Sequence, residues 1–152
     1  MVRPTWDTYF ADIATSAARR SSCLSEAKGA AITIDNRIVA IGYSGAPAGV
    51  PSCYDNGFCR KRSLGYGHGE GHHACLAVHA EANAILSAAN IGVKIAGGTI
   101  YCTHYPCESC AKLIINSGLK HVYYLNPYES ELAIFLFNSA NVIVTRLHQD
   151  AS

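Results

Sequence analysis

No run of about 18 consecutive apolar residues, the length that spans a bilayer as a helix, occurs in this chain of 152 residues. Charge is also scarce: Asp, Glu, Lys and Arg together make 15% of the residues and leave a net charge of +1 at pH 7. That balance offers neither a polybasic grip for a stable nucleic-acid complex nor an acidic tail. The opening residues Met1-Val2-Arg3-Pro4-Thr5-Trp6-Asp7 lack the apolar core of a secretory signal, so a cytoplasmic protein without a membrane partner is expected. Internal repeats, low-complexity tracts and linkers are missing too, and residues 1–152 read as a single domain. With 49% hydrophobic residues the chain has the material for one core.

Cysteine and histidine, by contrast, are plentiful, at seven each. An odd number of cysteines in a chain with no export signal fits metal ligation better than a disulfide framework.

Helical spacing of Trp6, Phe10, Ile13 and Ala17 predicts a first helix over 5–20. Two strands over 30–34 and 38–42 follow, joined by a hairpin at Asp35-Asn36-Arg37. Residues 43–71 hold most of the glycines and read as one long loop, a length that is usually functional or tied down by something other than a core. Beyond it the pattern alternates: helix 77–90, strand 99–103, helix 107–117 ended by Gly118, strand 121–125, helix 129–138, strand 142–145. One mixed sheet covered by helices is expected. Leu132, Ile134, Phe135, Leu136 and Phe137 make the fourth of these helices apolar nearly all round, so it needs burial on more than one face.

Two of the predicted helix starts carry chemistry. His79-Ala80-Glu81 opens one and Pro106-Cys107-Glu108-Ser109-Cys110 the next. Cysteines three positions apart at a helix start share a face, and the positive helix end favours their thiolates. With His79 as third ligand, zinc would keep its fourth tetrahedral position for water, as in a catalytic site. Zinc lowers the pKa of bound water from about 15.7 towards about 7. Glu81, close to the metal without ligating it, is then placed to move protons between water, substrate and leaving group. A structural zinc ribbon would want a second C-x-x-C, and a redox pair a thioredoxin-like order.

The H-x-E … P-C-x-x-C pattern resembles that of the zinc-dependent nucleobase deaminases. Gly42-Tyr43-Ser44-Gly45-Ala46-Pro47, Ser52-Cys53, the block from His79 to Ile85, and Thr103-His104-Tyr105-Pro106-Cys107 through Gly118 are similar to the deoxycytidylate deaminase family, in its compact bacterial and viral form. The resemblance implies a cytidine deaminase-like three-layer α-β-α fold, an α/β class with a central five-stranded mixed sheet. It implies hydrolysis of dCMP to dUMP and ammonia, feeding thymidylate synthesis, by a homohexamer in the cytoplasm (of the host, if the source is viral). Implied site residues are His79, Cys107 and Cys110 for the catalytic Zn2+ and Glu81 for proton transfer. Ala80, Thr103, His104, Tyr105 and Tyr128 are the implied substrate contacts. The family is activated by dCTP with Mg2+ and inhibited by dTTP, at an effector segment that here reads Gly42-Tyr43-Ser44-Gly45, with Ser44 in place of the usual Asn. Some relatives hold a second, structural zinc. Cys23, Cys53, His72 and Cys75 are the candidates, with Cys59 and His73 as substitutes.

Other readings stand beside these. The zinc motif is shared with cytidine and tRNA adenosine deaminases, and a non-catalytic zinc binding module would have no use for Glu81. Lys28 stands where relatives carry an apolar residue and is a candidate phosphate contact. Arg60-Lys61-Arg62 reads more readily as solvated surface, Cys102 as core, and Asn83 as a packing amide.

Overall fold

The computed structural model describes residues 1–148. Helix α1 (Trp6–Ala18) precedes the hairpin of β1 (Gly29–Ile34) and β2 (Arg37–Tyr43). Two one-turn helices, α2 (Cys53–Asn56) and α3 (Arg60–Ser63), and a 3-10 turn at His72–Ala74 lie in the long connection. Then come α4 (Ala80–Ile91), β3 (Thr99–His104), α5 (Glu108–Asn116), β4 (His121–Asn126), α6 (Glu131–Ser139) and β5 (Ile143–Arg146). The five strands form one sheet in the order β2-β1-β3-β4-β5. β1 is antiparallel to β2 and β3, whereas β3, β4 and β5 run parallel. None of the described helices is long and apolar enough to cross a membrane.

Alternation along the strands divides the core in two, as the pleat requires. Ala31 and Tyr101 face Phe10 and Ala14 of α1, with Tyr123 stacked on Tyr101 at 5.0 Å between ring centroids. Ala30, Ile32, Ile100, Cys102 and Val122 face the other way, into a larger core with Ala80, Ala84, Ala111, Ile114 and Phe137. The result is the expected three-layer α-β-α arrangement with a mixed sheet.

The differences from the sequence reading have local causes. The hairpin turns on two residues rather than three: Asp35 and Asn36 both have positive φ (48° and 56°), the geometry that matches strand twist. Arg37 therefore already belongs to β2. Helix α4 starts at Ala80 rather than Ala77, because Val78 is held in an isolated antiparallel bridge to Gly45. The long connection is less loop-like than its glycines suggest. Ser52 and Asp55 close a capping box around α2, and Gly57 ends it in the left-handed region. On α6, Ala133 and Phe137 are buried, but Leu132, Ile134 and Phe135 stay exposed in the single chain.

Gly42 shows how closely the layers pack. A Cβ there would overlap the backbone of Ala80 and Ala84, so β2 runs directly under α4. Gly42→Ala should therefore destabilise by about 1–3 kcal/mol in urea unfolding, the usual cost of forcing extra atoms into a packed core. A loss below about 0.5 kcal/mol, typical of exposed positions, would mean that α4 lifts freely from the sheet.

Candidate functional site

Helices α4 and α5 begin side by side, and the residue before each first turn is a ligand type. His79 is the N-cap of α4 and Cys107 the N-cap of α5, both with extended backbone and neither with its side chain bonded to its own helix. N-caps usually go to Ser, Thr, Asp or Asn, whose oxygen satisfies a free N–H. Here the imidazole and the thiol face each other instead: His79 Nδ1 lies 3.4 Å from Cys107 Sγ and 3.5 Å from Cys110 Sγ. Among the described residues this is the one group of three or more His, Cys, Asp or Glu whose ligand atoms all lie within 4.8 Å of one another. A tetrahedral zinc with Zn–N near 2.0 Å and Zn–S near 2.3 Å needs an N···S separation of about 3.6 Å, so the donor set fits that ion.

The electrostatics point the same way. The hydrogen bond from the Cys110 thiol holds Cys107 down to about 3 against the opposing effect of burial, and His79 adds to the lowering. Cys110, as the donor in that pair, is pushed up by it, by burial and by Glu81. The bond to Cys107 raises His79 despite its burial. A field that ionises one thiol and draws a proton to the imidazole also favours a divalent cation. Glu81, in the first turn of α4, is 5% exposed and is raised mainly by burial, with its Oε2 accepting from Cys110 Sγ at 3.5 Å.

A cleft opens from this cluster. His79, Glu81 and Cys107 lie at one part of its lining, together with Glu26, Lys28, Lys61, Tyr105 and Tyr128. Glu26 Oε2 pairs with Lys28 Nζ at 3.1 Å and Oε1 lies 3.2 Å from His104 Nε2. Burial and the Lys28 charge lower the pKa of His104, so the ring is neutral and the contact is a hydrogen bond rather than a salt bridge. Its other nitrogen, Nδ1, is 3.0 Å from Thr103 Oγ1, which in turn accepts the Gly29 N–H at 3.1 Å. Burial opposes the lowering of Glu26, but Lys28, His104 and His68 outweigh it. Lys28 also sits over the Tyr128 ring, 5.7 Å from its centroid.

The structure distributes the sequence candidates unevenly. Tyr105 and Tyr128 line the cleft, while Ala80, Thr103 and His104 stand behind that lining, in contact with groups that form it. Of the effector segment, Gly42 packs under α4 and Gly45 bridges to Val78. Ser44 is buried, with its Oγ donating to the Glu26 carbonyl at 3.2 Å and accepting the Lys28 N–H at 3.1 Å. Only Tyr43 faces a second, polar cleft, which Arg19 and Arg20 also line. Asn83 is a packing amide, donating to the Tyr43 carbonyl at 2.8 Å.

The members proposed for a second ligand set share the cleft without forming a compact donor set. Cys23, Cys53, Cys59, His72 and Cys75 all line the cleft, and neither the set with His72 nor the one with Cys59 closes into donors within 4.8 Å of one another. The His72 ring lies beside His79, with centroids 6.1 Å apart, because the 3-10 turn sits at the approach to α4. The Cys53 thiol is raised mainly by burial, against a lowering hydrogen bond from the Arg60 backbone, with smaller contributions from Cys59, Cys23 and Cys75. His73 is bonded to the Tyr66 hydroxyl at 3.1 Å. The sequence reading missed Glu26 altogether, and only its place two residues before Lys28 at the strand entry could have flagged it.

Residues 4–126 match the family model described as the cytidine and deoxycytidylate deaminase zinc-binding region. A deoxycytidylate deaminase of Mycobacterium phage D29 is 43% identical over 135 residues, covering 86% of this chain and all of the relative. The ComE operon protein 2 of Bacillus subtilis is 38% identical, over 99% of this chain and 75% of the relative. The crystal structure of the dCMP deaminase of cyanophage S-TIM5 in complex with dCMP and dUMP superposes with a TM-score of 0.77 at 26% identity, over 97% of this chain and all of that one.

Cys107→Ala should reduce the zinc bound to the purified protein by about one ion per chain, since two protein ligands rarely retain it. Elemental analysis beside the wild type reads this directly, and an unchanged zinc content would place the ligands elsewhere.

Proposed function

The chain belongs to the cytidine and deoxycytidylate deaminase family, and on that premise we propose that it hydrolyses dCMP to dUMP and ammonia. The observation that carries this reading is the buried carboxyl of Glu81 beside the His79, Cys107 and Cys110 donors, on a cleft lined by aromatic rings. A zinc ion held by the three donors supplies Lewis-acid activation of water at neutral pH. Burial raises Glu81 above the usual carboxylate range, which suits a group that must both accept and release protons. Glu81 would take a proton from the attacking water and deliver it to N3 of the cytosine ring. It would then take the proton of the new C4 hydroxyl and pass it to the amine, so that the C4–N bond breaks, ammonia leaves and the C4 carbonyl forms. Tyr105, held edge-on to Tyr124 at 4.9 Å between centroids, gives the cleft a rigid aromatic wall for the base.

The shared zinc chemistry serves cytidine and tRNA adenosine deaminases equally. Deoxycytidylate is favoured by the similarity to the phage D29 enzyme along its whole length. The same reading carries the finer features of the family to this chain: a homohexamer in the cytoplasm, supplying thymidylate synthesis, activated by dCTP with Mg2+ and inhibited by dTTP. The exposed Leu132, Ile134 and Phe135 support association of subunits. Arg19 and Arg20 beside Tyr43 support an effector triphosphate in the second cleft. Cys23, Cys53, Cys59 and Cys75, which line one cleft and of which the other three all act on Cys53, support a structural zinc, with Cys59 taking the place first given to His72.

Glu81→Gln should keep its zinc and lose about 10²–10⁴-fold in dCMP turnover, the usual weight of a general acid–base group. Loss of the cytosine absorbance band, followed with and without dCTP and Mg2+, measures it. An active Glu81→Gln would remove the proposed mechanism, and a rate indifferent to dCTP would remove the effector.

The second metal has its own test. Wild type should contain about two zinc ions per chain and Cys53→Ser about one, as expected for a four-thiolate structural site. A wild-type content near one would sink the second site and leave the catalytic assignment standing.

A further inference from the structure

The charge run Arg60-Lys61-Arg62 is split by the short helix α3. Arg60 and Arg62 are exposed, but Lys61 is only 8% exposed. Lysines that deeply buried are ordinarily paired with a carboxylate, because an isolated ammonium loses its hydration. Among the described residues, no Asp or Glu forms an ion pair with Lys61, while the Glu26 carboxylate is engaged with Lys28, His68 and His104. Nor is any buried side-chain nitrogen or oxygen both sealed from solvent and without a partner. The Lys61 ammonium therefore keeps access to solvent, and the Lys61 side chain lines the cleft that it shares with His79, Glu81 and Cys107.

The other lysine of that cleft is committed, its Nζ 3.1 Å from Glu26 and stacked over Tyr128. Lys61 is thus the uncompensated lysine of the lining. We propose that Lys61 holds the phosphate group of the nucleotide substrate. This rests on the deoxycytidylate reading above and adds to it the side chain that would distinguish a nucleotide from its nucleoside. Folding already buries most of the Lys61 side chain, so a phosphate entering the cleft meets a cation on a largely fixed stem and loses little to reorganisation. No bond is made or broken at Lys61; it acts on binding.

The test compares dCMP with deoxycytidine on zinc-loaded wild type, Lys61→Gln and Lys61→Arg. Loss of the charge should raise KM for dCMP and lower the dCMP-to-deoxycytidine ratio of kcat/KM at least about tenfold, the discrimination expected when a charged contact is removed. Lys61→Arg, which keeps the charge, should recover most of that ratio. Lys61→Met replaces the glutamine variant if the latter does not fold, since it fills the same space without charge. A ratio within about twofold of wild type overturns the proposal. So does a fall in zinc content without a change in the ratio, which would make Lys61 a counter-charge to the cysteine wall. If wild type deaminates neither compound, the deoxycytidylate reading fails by itself. Lys61 is then judged by titrating inorganic phosphate into wild type and Lys61→Gln with phosphorus NMR: binding lost in the variant supports an anion contact, and equal binding rejects it.

Discussion

The meeting of two helix N-termini is the constraint on which the rest of this structure depends. His79 and Cys107 occupy the N-cap positions of α4 and α5 and leave both helices without a side-chain cap. A conventional cap contributes about 1 kcal/mol, so the chain forgoes that stabilisation at two places that touch. In return, two positive helix ends converge on two sulfurs and an imidazole, and Cys107 is ionised without any exposed cation beside it. Local propensity gives way at the chemical site, as is common at functional sites.

Small residues make the meeting possible. α4 buries Ala80, Ala82, Ala84 and Ala88, and the strand beneath it presents Gly42. Larger side chains on either surface would lift the helix and carry His79 away from sulfurs that it now approaches at 3.4–3.5 Å. On the opposite layer, Gly29 admits the backbone of α1 at Ala14 and Ala18 in the same way. Both ends of β1 and β2 that border the cleft are therefore fixed by backbone contact rather than by side-chain interdigitation, which tolerates little variation in volume.

Periodicity was enough to read the layers from sequence, because burial on a pleated sheet and on one helix face leaves regular traces. The strands of residues Thr99–His104 and His121–Asn126 differ from their predicted spans by single residues. The His79, Cys107 and Cys110 cluster was legible for a different reason: its members sit at fixed offsets from helix starts. What could not be read is what the long connection brings together. Cys23, Cys53, Cys59 and Cys75 are spread along the chain, and no spacing rule says that they line one cleft. Likewise, Lys61 is flanked by exposed arginines, and only the one-turn helix decides that the middle charge of three points inward. One-turn helices leave no periodic trace, so such directions appear only in three dimensions.

Ser44 links the two clefts more directly than its place in a glycine-bounded turn suggests. Its hydroxyl bonds the backbone of Glu26 and Lys28, the two residues whose side chains form the charged wall of the substrate cleft. Ser21 completes the link, with its Oγ 2.7 Å from Ser44 Oγ and 2.8 Å from the Ser44 carbonyl. Both Ser21 and Tyr43 line the second cleft with Arg19 and Arg20. The short Ser44 hydroxyl is spent inside, where it ties the end of β2 to the entrance of β1. The segment is therefore part of the wall as much as part of the second cleft, and the contact that joins them is a buried hydroxyl with its partners satisfied, the kind of network that holds one geometry firmly.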